Sequence, residues 1–248
     1  MGQFEAKVWS LFEEFAIMLS RTFFIFITLI CVDVKAQNFN LLKTFGTPYS
    51  QVTINNICTE PNGGCAVLLN YDNSSSTGSV PDTLKLGNFQ YVKTKGANFV
   101  NFLVRLDSLG KVLKVRLINK GTLLTNLCRD EYGNYFIAGT VNSTAPFDSL
   151  MLDKANGGLV LVKYDKDLKL KWIKQTGSSS TSYKELVYSQ GHLLFICTTS
   201  NPSKFGSDTF NFVNSTNYVF GEIDKSNGNI IWSNNLYRSS SSSYNARL

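Results

Sequence analysis

The feature that most constrains this 248-residue chain is that it repeats itself. Three segments superpose: FLVRLDSLGKVLKV (102–115), VLVKYDKDLKLKW (160–172) and VFGEIDKSNGNIIW (219–232). Each is an apolar run, an Asp, a polar turn and a second alternating run. The Asp recurs at Asp107, Asp165 and Asp224, in steps of 58 and 59 residues, and the position of Trp172 and Trp232 is filled by Val115 in the first copy. A second element precedes each: NICTEPNGGCAVLLNYD (56–72), NLCRDEYGNYFIAGTV (126–141) and ELVYSQGHLLFICTTS (185–200), two apolar runs around a tight turn at Gly63, Gly133 and Gly191. The first copy is longer by about twelve residues, which we place in NSSSTGSVPDTLKLG, read as a surface loop where insertion costs little.

Four short strands in about 60 residues, joined by hairpin turns and repeated, describe a β-propeller blade, which cannot bury both faces alone and must stack on neighbours. Composition agrees. Phe and Tyr number 18 and 11 against 3 Met and 5 Pro, with 18 Gly as punctuation, which favours strands and turns over a helical bundle. The expected fold is therefore all-β, a propeller of four-stranded blades with about three complete blades present in residues 37–248, an incomplete ring. The segment RSSSSSYNARL (238–248) aligns with GSSSTSYKELV (177–187), so the serine run is a repeated connection. Propellers close with about four to eight blades, so we expect a fragment of a longer protein, or failing that an edge that pairs with another chain.

The run DEYGNYFIAGTV with LVLVKYDKDLKLKWIKQTG resembles the SBBP-type β-propeller repeat of secreted bacterial proteins. Gly133-Asn134, Gly139, Lys163-Tyr164-Asp165, Trp172 and Gly177 carry the likeness. The resemblance covers most of residues 38–248. It implies repeat architecture and no shared catalytic residue. Departures are the missing Trp in the first copy and Gly191-His192 in place of Gly-Asn.

Residues 1–36 read as an N-terminal extension and signal peptide. TFFIFITLICV (22–32) follows Arg21 and is too short for a hydrocarbon core that needs about 20 residues, but it has the length of a signal h-region. Val34 and Ala36 suit cleavage before Gln37, and Cys31 lacks the preceding small residue of a lipoprotein site. Glu5, Glu13 and Glu14 fit poorly ahead of a signal, so Met18 is the better start. The competing reading is an amphipathic helix leading into a membrane anchor. A leader ending in VKAQ also resembles exported proteins of the Bacteroidetes. The expected location is secreted or cell surface. Segment 1–36 carries three Lys/Arg and four Asp/Glu, so its removal changes the balance from 24 against 18 to 21 against 14.

No nucleophile, metal or phosphate motif is present, so catalytic, cofactor-binding and metal residues are each expected to be none. Asp107, Asp165 and Asp224 recur in every unit and are read as turn-opening residues that accept backbone N–H bonds. His192 is the single histidine and is read as a turn or surface residue. Cys58 and Cys65 flank a hairpin turn and are read either as a short-loop disulfide or as small core residues, the latter because Cys128 occupies the Cys58 position in the next unit. Cys197 is read as core. Lys163, Lys166, Lys169, Lys171 and Lys174 are read as a charged outer face rather than a nucleic-acid surface. Asn73, Asn142 and Asn214 open N-glycosylation patterns, which matter only in a host that glycosylates. The expected function is a non-catalytic extracellular scaffold or binding domain with a protein or glycan ligand. The alternatives are a propeller-type carbohydrate-active hydrolase and an adhesion module of a longer cell-surface protein.

Overall fold

The apolar runs pair as antiparallel strands in a computed structural model, which describes residues 51–236 apart from 73–82, 93–98, 121, 142–143, 149, 154, 156–157, 201 and 212–215. The chain divides into Met1–Asn38 and Phe39–Leu248, and everything described belongs to the second part. The leader, Met18, the terminal serine run and Asn73, Asn142 and Asn214 lie outside the described residues.

One order of elements occurs three times. The first unit is β1 (Gln51–Thr59), β2 (Cys65–Asp72), β3 (Thr83–Leu86), β4 (Phe89–Val92), β5 (Phe99–Leu106) and β6 (Val112–Lys120). The second is β7 (Leu123–Arg129), β8 (Tyr135–Thr140), β9 (Ala145–Phe147), β10 (Leu150–Leu152), β11 (Leu159–Tyr164) and β12 (Leu170–Thr176). The third is β13 (Ser182–Ser189), β14 (His192–Thr199), β15 (Ser203–Phe205), β16 (Asp208–Phe210), β17 (Asn217–Ile223) and β18 (Ile230–Leu236). The sheets run β1-β2-β5-β6, β7-β8-β11-β12 and β13-β14-β17-β18, all antiparallel, and each unit adds a two-stranded hairpin between its second and third strands. The all-β expectation and the four-stranded sheets hold. The hairpins are an addition: part of the stretch read as a surface loop is strand β3, whose Leu84 and Leu86 are buried.

Register sharpens the repeat. Each first strand shifts register at the same place, at Ile54/Asn56, Leu124/Asn126 and Tyr183/Glu185. Such bulges bend a strand and re-aim its side chains. Trp172 pairs with Lys163 and Trp232 with Glu222, whereas the matching Arg105 pairs with Lys114. The first-copy partner of the tryptophans is therefore Lys114, not Val115, because the third turn holds one residue more than the other two.

Two faces of apolar side chains on each middle strand make the sheets stack. Ala66, Leu68 and Leu103 of the first sheet meet Leu127, Tyr135, Ile137 and Val160 of the second. The opposite face of that second sheet, with Phe136, Ala138 and Leu161, meets Phe195, Cys197 and Val219 of the third. Strands β8 and β11 are consequently near-continuous apolar runs, since alternate residues serve different cores. On the far face of the first sheet Phe102 packs edge-on against Phe89 and Tyr91 of hairpin β3–β4, with ring centroids 5.9 and 5.3 Å apart. The first strands are neighbours in series, β1 beside β7 and β7 beside β13. Asn55 Nδ2 donates to Leu124 O at 2.6 Å and Asn126 Nδ2 to Lys184 O at 3.3 Å, so each bulge region is tied to the next.

Candidate binding surface

Antiparallel order brings both hairpin turns of each sheet, between its first and second strands and between its third and fourth, to one end. There the recurring aspartates accept hydrogen bonds. Asp107 Oδ1 takes the N–H groups of Leu109 and Lys111, Asp165 Oδ1 those of Asp167 and Lys169, and Asp224 Oδ1 that of Ser226 with its hydroxyl. Burial pushes the Asp165 carboxyl up, but the Lys169 and Asp167 amides with Lys171 outweigh it and hold it below the usual range. The Ser226 hydroxyl and amide do the same for Asp224. Asp130 is a fourth turn aspartate, accepting from the amides of Tyr132 and Asn134; it does not recur, since its counterparts are Glu60 and Ser189.

Two residues before each recurring Asp stand Arg105, Lys163 and Glu222, the first two at the edge of a gap between described sheets. Arg105 donates to both oxygens of Glu60 at 2.8 Å and to Lys166 O of the second sheet's turn at 3.0 Å. The Tyr135 hydroxyl of the second sheet also donates to Glu60, which is 6% exposed. Burial raises the Glu60 carboxyl, but the Arg105 and Tyr135 hydrogen bonds outweigh it and leave the group below its ordinary value. Tyr135 is pushed up by burial and by donating to that carboxylate.

The next gap is built by the same rule with different side chains. Lys163 Nζ donates to Lys225 O at 2.8 Å, joined by Trp172 Nε1 at 3.3 Å. Lys163 thus lies apart from the outward lysines, its Nζ 5.3 Å above the Phe136 ring. Lys225 Nζ donates to Glu131 Oε1 and to the Tyr188 hydroxyl, both at 3.1 Å, and sits 5.5 and 5.1 Å from the rings of Tyr132 and Tyr188. Tyr188 in turn donates to Glu131, and that bond leads the causes holding the Glu131 carboxyl down to about 2. Tyr132 is 71% exposed. An exposed ring beside a cation and a carboxylate, carried on turns that a sheet holds still, is suited to contacting a polar ligand.

The third sheet departs from the rule. Glu222 cannot donate; it accepts from His192 Nδ1 at 2.6 Å and from Trp232 Nε1 at 2.8 Å, and these bonds hold its carboxyl below the usual range. His192 is exposed at the start of β14, as the surface reading expects. Phe220 packs edge-on against Trp232 at 5.7 Å.

All four described cysteines are free. Cys65 lies opposite Thr59 and Cys58 opposite Ala66, so the alternation of the strand sends the two thiols to opposite faces and no disulfide joins them. Burial lifts the Cys58 thiol to about 12 and raises Cys65, Cys128 and Cys197 as well, which keeps them protonated and poorly nucleophilic. Among the described residues no three His, Cys, Asp or Glu side chains gather as a metal site requires, and no helix is long and apolar enough to cross a membrane. The chain matches no family model and no curated protein.

Proposed function

We propose that this chain is a non-catalytic β-propeller module of a secreted or cell-surface protein, of the SBBP-repeat kind, acting as a scaffold or binding domain. The observation that supports this best is the threefold recurrence of one unit with the same bulge and the same turn aspartate, with the same link at both junctions between the described sheets. First strands side by side in series are what blades around an axis require. The surface offered to a protein or glycan is the turn end around Tyr132, Tyr188 and Lys225, where the aspartates already serve their own turns.

The test is to purify the exported chain and screen it against immobilised glycans and host surface proteins, with polysaccharide hydrolysis assayed beside it. The reading expects binding that weakens at Tyr132→Ala while the melting temperature holds, with no turnover. Turnover that disappears at Glu131→Gln would replace it with the hydrolase reading. Sequencing the N-terminus of the exported form checks the leader, with Gln37 as the expected first residue.

A further inference from the structure

The outer strand β6 is hydrogen-bonded to β5 on one side only. Its other edge faces a cleft of about 600 Å³, with residues 115–119 on one wall and Pro146 and Asp148 of the second unit's hairpin on the other. Two donors in that lining have no acceptor. Asn119 is 3% exposed; its Oδ1 accepts from Asn101 at 2.9 Å, but its Nδ2 is buried and unpartnered. Arg116 Nε is likewise buried without a partner, although Arg116 Nη2 donates to Asp148 at 3.0 Å. Orphaned buried donors are rare and costly, and a ligand acceptor is one way to satisfy them.

The corresponding place one unit later shows what fits. In strand pairing Asn119 meets Asn101 and Thr176 meets Leu159, 58 residues further on, so Thr176 is the counterpart of Asn119. Lys204, at the centre of β15, is likewise 58 residues after Pro146, at the centre of β9. There the hairpin closes on the outer strand. Gly177 and Lys204 form a β-bridge, and Lys204 O accepts from Gly177 N at 3.1 Å and from Thr176 Oγ1 at 3.2 Å. At the first place β9 is paired with β10 alone.

We propose that the cleft between β6 and the β9–β10 hairpin binds an extended peptide segment of a partner protein, which lies along the open edge of β6 and gives a backbone carbonyl to Asn119 Nδ2. An extended backbone carbonyl is what fills the equivalent place between the second and third units. Asp148 already neutralises Arg116, so the missing acceptor is a neutral carbonyl rather than an anion. Val115 and Leu117 on one face of β6 and Ile118 on the other give apolar flanks for the alternate side chains of a bound strand. This site depends on local geometry and stands whether or not the sheets close into a ring.

The probe is a displayed library of random dodecapeptides, panned on the purified full chain, with the enriched peptide resynthesised. It is expected to shift the backbone amide resonances of residues 115–119 and the side-chain amide of Asn119. Asn119→Asp keeps the acceptor for Asn101 and removes the donor, and should weaken binding by about tenfold. Since that change places a charge in a buried site, Pro146→Lys is the second variant. Residue 146 is exposed and lines the cleft, so a longer side chain there obstructs the path of the bound strand, and binding falls at least about tenfold while the melting temperature does not fall. The proposal is overturned if no peptide is enriched over a sham selection, if enriched peptides bind Pro146→Lys unchanged, or if β-linked oligosaccharides rather than peptides shift residues 115–119.

Discussion

The two intersheet gaps are built on one plan and held by opposite means. Between the first and second sheets the Glu60 carboxylate and the Tyr135 phenol are buried, 6% and 1% exposed, and the Arg105 guanidinium that joins them is half-buried. Between the second and third sheets the carboxylate of Glu131 is exposed, and the ammonium of Lys225 and the phenol of Tyr188 are half-buried beside it. Burial makes an ion pair expensive to break and exposure makes it dispensable, so the same three chemical groups give a structural pin in one gap and an accessible surface in the other. The buried set resists substitution. The exposed set is free to serve a ligand.

The largest expected effect follows from the buried set. Glu60→Ala leaves Arg105 charged without its partner and should lower unfolding free energy by about 3–5 kcal/mol in urea titration. Replacing Glu60 and Arg105 together by apolar residues should recover most of that loss, which separates the penalty for a stranded charge from the worth of the pair. Gly139 comes next. A Cβ there would stand 2.2 Å from Leu123 O, a backbone atom that cannot swing aside, so Gly139→Ala should cost about 1–3 kcal/mol by forcing β7 and β8 apart. Asp107→Ala removes two bonds to turn amides and should cost about 1 kcal/mol, with unchanged binding at the turn end.

The pH dependence separates the gaps further. Glu60 titrates below its unfolded-state value of about 4.3, so its contribution is present above that pH and is lost as pH falls through the lower folded value. Glu60→Gln should flatten that part of the acid limb. The smallest effect is Lys225→Ala, expected to leave the melting curve within error while changing whatever binds beside Tyr132. A loss at Lys225→Ala as large as that at Glu60→Ala would erase the distinction.

Much of the fold was legible because its signals are local and recur. Asp107, Asp165 and Asp224, with the turn glycines Gly63, Gly133 and Gly191, mark the hairpins, and the glycines carry φ of 80°, 87° and 91°. The short hairpins were also written in the chain, since Gly87, Asp148 and Gly206 recur at turn positions with positive φ, but strands of three or four residues give too little alternation to stand out from a loop. The candidate surface was less legible. Lys163 reads as one of five clustered lysines, and only the neighbouring sheet reveals that its ammonium reaches Lys225 O. Nothing in Asn119 distinguishes it from the partnered Asn101.

By itself the sequence determined the unit, its turns, its strand number within each sheet and the apolar faces that oblige the sheets to stack, because hydrophobic period and turn chemistry act over a few residues. The tertiary structure alone decided which charges are sealed in and which are left in water, that Cys58 and Cys65 point apart, and that one outer strand is closed by its neighbour's hairpin while another is open. Those outcomes depend on what lies across a gap from a residue some 60 positions away, and a charge or an amide carries the same letter whether it is met there by a carbonyl, a carboxylate or nothing.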